Sequence, residues 1–397
     1  MKRFSHIRPV YFALGILFSI QIASSSCQPK DPGPSPLVDN RVFYAWDKFN
    51  MGVDLSYVNQ IQDNGGTYKD SGSVKDPFSI FKNHGANTVR VRLWHTPTWQ
   101  TPATGGKLYS DIYDVEKTIR RAKEAGMAVS LDLHYSDTWA DPQKQEIPAA
   151  WKNLSFALLK DSVYQYTLSI LNYLASKNLV PEIIQVGNEI NPGMLHPFGK
   201  VVNGNFGPFA ELLKSGIKAV RDFSTTSAIK PQIMLHVAQM QDAGWWTRGV
   251  IQQEGVTDFD IIGLSHYCKW SQVNTMKGVT DTIRTLVNKY NKKVMVVETA
   301  YPWTKQNFDT YNNLFGATDS VAGYPITPQG QLSYMRDLVQ AIYDGGGSGI
   351  QYWEPAWITS PMKDLWGSGS SWENNALFDN NGAVLPGMDY MNYRYKF

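Results

Sequence analysis

The run LDLHYSDTWADPQKQEIPAAW, residues 131–151, decides the reading of this chain. Val129, Leu131 and Leu133 are the apolar residues of a core strand, and within the next nine positions the chain supplies His134, Tyr135, Asp137, Trp139 and Asp141. Loops usually carry small polar residues at such an exit. Histidine, carboxylates and indoles crowded there suggest a strand that ends at a working surface.

Seven other short apolar runs end in a similar way. Candidate strands lie at 51–55, 88–94, 127–134, 182–189, 232–237, 259–267, 293–299 and 349–354, with helix-period segments between them. The clearest helix follows Asp111, where Ile112, Val115, Ile119 and Ala122 recur at spacings of three and four, with Asp111 as N-cap and Gly126 past the end. Residues 209–220 and 331–343 behave similarly. Alternating strands and helices predict an α/β fold, a single (β/α)8 TIM barrel whose long βα loops wall a groove. An open doubly wound sheet is the runner-up, but no glycine-rich phosphate loop follows an early strand.

The exits present Arg92 and Trp94, His134 and Asp137, Asn188 and Glu189, His236, His266 and Tyr267, Glu298, and Trp353 with Glu354. In a barrel these ends converge on one face. Glu189 in QVGNEINPG and Glu298 in VMVVETAYP would face each other across the cavity from strands four and seven. Two carboxylates about 5 Å apart suit retaining glycoside hydrolysis, one as acid/base and one as nucleophile. The acid has to stay protonated while the nucleophile stays ionised through nearby donors. Arg92 and Tyr267 are the donors expected for the nucleophile, and Asn188 is expected to reach a sugar hydroxyl beside the reacting carbon. The bland alternative makes both glutamates rim ion pairs.

Composition agrees with a neutral substrate. Thirty-seven basic residues against 35 acidic ones leave a net charge of +2, interspersed along the chain, with no footprint for nucleic acid. Thirteen Trp, 21 Tyr and 17 Phe could line a sugar groove as well as a core. A metal-dependent hydrolase would have His95, His134, His236 and His266 to draw on, but lacks the His-x-His usual in such barrels. A sugar-binding lipoprotein without activity would not need opposed carboxylates.

At the N-terminus, Lys2, Arg3 and Arg8 precede an apolar run from Val10 to Ile22, then Ala23, three serines and Cys27. This is the order of a secretory signal, residues 1–26, and of a bacterial lipobox that would lipidate Cys27. An ordinary signal peptide cut nearby is the alternative. Residues 27–42 read as a proline-rich tether and 43–397 as the catalytic barrel. Cys268 is the second of two cysteines, so lipidation of Cys27 would leave no intramolecular disulfide.

Beyond these features, HYSDTWADPQKQEIPAAW, GNEINPGMLHP, GLSHYCKW, VVETAYPW and YWEPAW, with GVDLSYV, RVRLWHTP and ENNALFDNNGAVLP, resemble glycoside hydrolase family 53, the arabinogalactan endo-β-1,4-galactanases. The likeness spans residues 51–386. His266 and Cys268 depart from it, standing where related sequences often carry Tyr and Pro. The resemblance implies Glu189 as acid/base, Glu298 as nucleophile and β-1,4-galactan of pectic side chains as substrate. A mannan or cellulose hydrolase of the same clan remains the competitor on physical grounds alone.

His134 and Asp137 are expected to contact sugar hydroxyls, Trp139 to stack on sugar or wall the groove, and Trp353 to floor the cleaved residue. His266 and Tyr267 are expected to lie in the substrate site, and the departures at His266 and Cys268 to adjust subsite contacts. Gln145 and Trp151 are expected to fix the loop itself. Trp94 is a platform or loop core, and Trp366 could extend the groove. No cofactor is required. The resemblance also implies a structural calcium in some members after strand seven, which here would draw on Asp309, Asn312, Asn313 and Asp319. Their spacing matches no ligand pattern, and ordinary loop polar residues are the expected reading. The expected protein is a monomer, exported and held by its lipid at the bacterial outer membrane or cell surface.

Overall fold

The computed structural model describes residues 41–397. The signal segment, Cys27 and most of the tether lie outside the described residues. Eight strands form one closed parallel barrel. They are β1 (Asn50–Asp54), β2 (Thr88–Leu93), β3 (Ala128–Leu133), β4 (Ile183–Val186), β5 (Gln232–Val237), β6 (Ile261–Ser265), β7 (Lys293–Glu298) and β8 (Gly349–Tyr352). β1 closes the ring by pairing with β8 through Gly52 and Gln351 and with β2 through Asp54 and Arg90. The (β/α)8 expectation therefore holds.

The predicted helices form where the period placed them. Asp111 caps α2 (Ile112–Glu124), accepting from the Asp114 amide at 2.9 Å, after α1 (Pro77–Asn83). Gly126 follows in the left-handed region at φ 72°, as an L side chain there would be strained. The outer ring continues with α3 (Phe156–Ser176), α4 (Gly207–Thr226), α5 (Met240–Thr247), α6 (Met276–Tyr290) and α7 (Pro328–Asp344).

Alternation along each strand divides the barrel into two environments. On β3, Val129, Leu131 and Leu133 join the apolar layer beneath the helices. Ser130, Asp132 and His134 are the alternate positions, all buried. A smaller apolar plug of Ile183, Met234, Ile261, Met295 and Val297, closed by Trp46, fills the lower interior. Polar groups gather above it, at the strand C-termini.

Strands four and seven depart from regularity where the glutamates stand. β4 leaves the ladder at Val186, then Gly187 and Glu189 take positive φ values of 83° and 47°. Left-handed backbone at a non-glycine residue costs on the order of 1–3 kcal/mol and often marks a functional position. Between β6 and β7, Leu264 pairs with Val296 while Ser265 pairs with Glu298. This bulge skips Val297, which faces the plug. Strict alternation would send Glu298 outward, and the extra residue re-aims it into the mouth.

Candidate active site

At the mouth, polar atoms of Glu189, His236 and Glu298 all lie within 4.8 Å of one another. That separation belongs to the retaining geometry, since inverting carboxylates stand roughly 6.5–9.5 Å apart to admit a water. A metal centre is a poor description of the same trio. His236 Nδ1 meets Asn188 Oδ1 at 2.9 Å and Gln185 Nε2 at 3.1 Å, and its Nε2 meets Ser265 Oγ at 2.9 Å. Both imidazole nitrogens are thus engaged by the protein.

Glu298 receives two donors on opposite oxygens. Arg90 Nη1 lies 2.9 Å from Oε1, and the Tyr267 hydroxyl donates to Oε2 at 3.1 Å. Arg90 is itself buried and spends every N–H within the barrel. It reaches Asp54 at 2.9 Å, Asp132 at 2.8 Å, Asn188 Oδ1 at 2.9 Å and Gln185 Oε1 at 3.2 Å. Burial opposes a charge here, yet Asp132, Glu298 and Asp54 hold the guanidinium above its ordinary pKa. Arg90 is a fixed cation with a defined fork geometry.

Glu189 has a different setting. Its Oε1 meets Ser265 Oγ at 2.7 Å, and no cation touches it among the described residues. Burial and then the charge of Glu298 raise its pKa to about 8, against the Ser265 hydrogen bond. Burial also raises Glu298, to about 7, but Arg90 and Tyr267 favour its ionised form. Two carboxyls this close share one charge. The guanidinium decides which: Glu298 ionises first and Glu189 keeps its proton. One acid and one nucleophile then coexist near neutral pH.

The donor expected from Arg92 comes instead from Arg90, two residues earlier on the same inward face. Arg92 Nη1 binds Glu354 Oε1 at 2.6 Å, and its guanidinium lies over Tyr57 at 4.1 Å, Trp139 at 4.4 Å and Trp94 at 4.9 Å. It builds the aromatic wall and does not touch the nucleophile.

Three other side chains expected to contact sugar are engaged by the protein itself. His134 donates from Nε2 to Asp132 at 3.1 Å, while its Nδ1 accepts from the Ala140 amide at 3.1 Å and from Trp94 Nε1 at 3.3 Å, leaving neither nitrogen for a sugar. Asp137 accepts the amides of Thr96 at 3.0 Å and Ala149 at 2.8 Å, and so staples two loops. His266 is buried and points outside the barrel, with Nε2 3.4 Å from the Tyr334 hydroxyl of α7, because Ser265 takes the inward position. Trp94 is fully buried, so it is loop core and offers no platform.

Other expected residues do reach the mouth. Asn188 donates one N–H to the Ala140 carbonyl at 2.8 Å, which leaves its second N–H. Trp139 and Trp353 are half-buried with ring centroids 6.0 Å apart, and Trp353 stands edge-on to Trp372 at 4.7 Å. Ring contacts continue from Trp139 through Trp94 and Trp99 to Trp366, which is 49% exposed at the end of the series. Gln145 ties the β3 loop to the Asn188 carbonyl at 2.9 Å, and Trp151 packs on Tyr166.

The residues considered for calcium do not converge as a set. Asp309 accepts the amides of Tyr311 and Ser370, each at 2.8 Å, and shares the Thr359 hydroxyl with Glu373. Asn313 lies beside Glu373 at 3.4 Å. Asp319 pairs instead with Lys269 at 2.9 Å, and Asn312 is exposed.

Sequence reasoning missed Arg90, Asp54, Asp132, Gln185 and Ser265. Their signal was polarity at alternate positions inside runs read as apolar strands, as in TVRVRL and AVSLDL.

Known proteins agree with this picture. The model for glycosyl hydrolase family 53 matches residues 50–391. The arabinogalactan endo-β-1,4-galactanase of Cellvibrio japonicus is 45% identical over 86% of this chain and 88% of its own length. The endo-β-1,4-galactanase of Bacillus subtilis is 33% identical over 87% of this chain and 86% of its own. Among solved structures, the family 53 catalytic domain of Ignisphaera aggregans superposes with a TM-score of 0.81 at 38% identity, over 91% of this chain and all of that one. A fungal β-1,4-galactanase superposes with a TM-score of 0.72 at 31% identity, over 86% of this chain and 98% of that one. With the barrel, the carboxylate pair and these likenesses in hand, the chain belongs to glycosyl hydrolase family 53.

Proposed function

We propose that this protein is an endo-acting, retaining β-1,4-galactanase that cuts galactan side chains of pectin. The observation that carries the chemistry is the asymmetry of the pair, with Arg90 and Tyr267 on Glu298 and a half-buried Glu189 that no cation touches among the described residues. The substrate follows from the relatives named above, at identities of 33–45% over most of both chains.

In the first step Glu298 attacks the anomeric carbon while Glu189 gives its proton to the departing glycosidic oxygen. Tyr267 and Arg90 hold the attacking carboxylate in place. In the second step Glu189, now ionised, takes a proton from water, which attacks the same carbon and frees Glu298. Two inversions give net retention. The free Asn188 N–H is placed for a hydroxyl beside the reacting carbon, and Trp353 and Trp139 supply apolar faces for the sugar rings. The ring contacts that run from Trp353 and Trp139 out to the exposed Trp366 suit cleavage within a chain.

Neither step passes through a metal, and a hard cation in the loop after β7 would act on loop structure. The lipobox order at Cys27 supports an exported, lipid-anchored protein at the bacterial outer membrane or cell surface, working as a monomer on a polymer.

The test is hydrolysis of unbranched β-1,4-galactan, with mannan and cellulose as controls, by the wild type and by Glu298→Ala. Rapid release of oligosaccharides from galactan, falling roughly 10⁴-fold or more in the variant, is expected for loss of a covalent nucleophile. Cleavage of mannan or cellulose in its place would overturn the substrate. Binding of galactan without cleavage would favour a sugar-binding lipoprotein.

A further inference from the structure

At the pole of the barrel opposite the active site, aromatic side chains reach solvent together. Phe43 is 55% exposed, Tyr393 42%, Phe397 40% and Tyr343 36%. Tyr343, Tyr393 and Phe397 belong to one set of ring contacts, and Phe43 lies beside Tyr44 in the chain. Phe397 touches Tyr343 at 4.1 Å, Phe49 and Tyr44 at 4.7 Å, and Tyr395 at 5.2 Å, and Tyr395 touches Tyr393 at 5.1 Å. Phe49 stands just before β1, and Tyr343 near the end of α7, just before the chain enters β8. Both therefore mark the pole where strands begin.

The same patch is basic. A groove of about 450 Å³ is lined by Arg41, Arg336, Arg394, Asn392, Tyr393 and Asp389. Arg336 lies 4.2 Å from the centre of Tyr393, and Arg41 lies 5.7 Å from that of Phe43. Lys396 adds to these charges in the flanking sequence, while Lys48 lies 3.9 Å from Asp47. One acid lines the groove, Asp389, whose Oδ1 lies 3.1 Å from His84 Nδ1. The surface is also firmly built. The Val42 amide donates to the Asn392 carbonyl at 2.8 Å, Tyr44 Oη to the Tyr393 carbonyl at 2.9 Å, and the Lys396 amide to Gln340 at 3.0 Å.

Exposed aromatics mixed with Arg and Lys suit the headgroup layer of a bilayer, where rings enter the interface and cations meet phosphates. Chain connectivity selects that partner over others. Arg41 continues directly from the proline-rich segment, and residues 28–40 can span at most roughly 45 Å. A lipid on Cys27 would keep this pole within reach of the membrane.

We propose that this aromatic and basic pole docks on an anionic membrane surface and turns the catalytic groove away from it, an inference that rests on reading Cys27 as lipid-bearing. The polymer then approaches an active site that faces outward, and the tether need not be rigid to achieve this.

The test uses residues 28–397, which keep the whole closed barrel and its core but lack the lipid. Sedimentation is compared on phosphatidylcholine vesicles with and without phosphatidylglycerol. The protein should sediment with the anionic vesicles only. Arg394→Glu/Lys396→Glu should lower that partition roughly tenfold or more, and Phe43→Ser should lower it less. Galactan hydrolysis in solution should be unchanged in both variants. No partition of the wild type, or equal partition of the charge-reversed variant, would overturn the proposal. So would loss of vesicle binding in favour of polygalacturonate, which would make the groove a site for acidic polysaccharide. Mass spectrometry of the protein from its own membrane tests the anchor separately: an unmodified Cys27 together with anionic-vesicle binding would remove the anchor and leave the docking surface standing.

Discussion

Arg90 and Arg92 occupy the same strand, point to the same side and are both buried, yet they do different work. Arg90 stands among Asp54, Asp132 and Glu298 and sets which carboxyl of the catalytic pair carries the charge. Arg92 has one carboxylate, Glu354, and three aromatic rings around it. A step of two residues along β2 separates the electrostatics of the reaction from the construction of the wall. Charge type and burial do not distinguish the roles; the neighbours supplied by β1, β3, β7 and β8 do.

The largest effect is expected at Arg90. Arg90→Lys keeps a charge but loses the fork that reaches several acceptors at once. We expect kcat to fall about 10²- to 10³-fold. The acidic limb of the kcat/KM profile should move to higher pH, because a less well-held cation leaves Glu298 harder to ionise. Unchanged limbs with intact folding would break the distinction drawn between the two arginines.

Arg92→Met should show the opposite balance. Removing it leaves Glu354 buried without its partner, a loss of about 3–5 kcal/mol in stability. The pH limbs should stay in place for whatever protein folds. Denaturant unfolding checks the first statement, and adding Glu354→Gln should recover most of the loss, as expected for residues in contact.

Ser265→Ala sharpens the comparison from the other side of the pair. Ser265 donates to Glu189 and works against the rise in its pKa, so its removal should raise that pKa further. The proton of the acid would then be lost at higher pH, and the alkaline limb of kcat/KM should shift upward with only a small fall in kcat. A downward shift in the pH profile would contradict the assignment of Glu189 as the acid.

Trp366→Ala should have the smallest effect. Its ring is half exposed at the far end of the contacts that begin at Trp139. Loss of one stacking face is worth about 0.5–1.5 kcal/mol. KM for long galactan should rise a few-fold to about tenfold, while short oligosaccharides cleaved nearer the centre should be unaffected.

The fold was legible because hydrophobic period and strand exits repeat along the chain. Asp111 and Gly126 marked a helix at both ends, and alternation marked the strands. Glu189 and Glu298 could be picked out because each ends an apolar run. The donor to Glu298 was not legible. RVRL offers two arginines on one face, and only the barrel's register shows that Arg90 lies level with Asp54 and faces β7. The bulge at Val297 was equally hidden, since it depends on how β6 and β7 pair. His134, Asp137 and His266 misled for a shared reason: polarity at a strand exit does not say whether a side chain meets substrate or binds neighbouring backbone and side chains.

The most direct test of the account is the stereochemistry of the first product. Proton NMR can follow the anomeric signal of the reducing end as the wild type begins to cut β-1,4-galactan, before mutarotation equilibrates it. Carboxylates this close act by double displacement, so the β-anomer should appear first and convert slowly to the mixture. An α-anomer appearing first would mean that water attacks directly. It would remove Glu298, and the arginine that holds it, from the role given to them here.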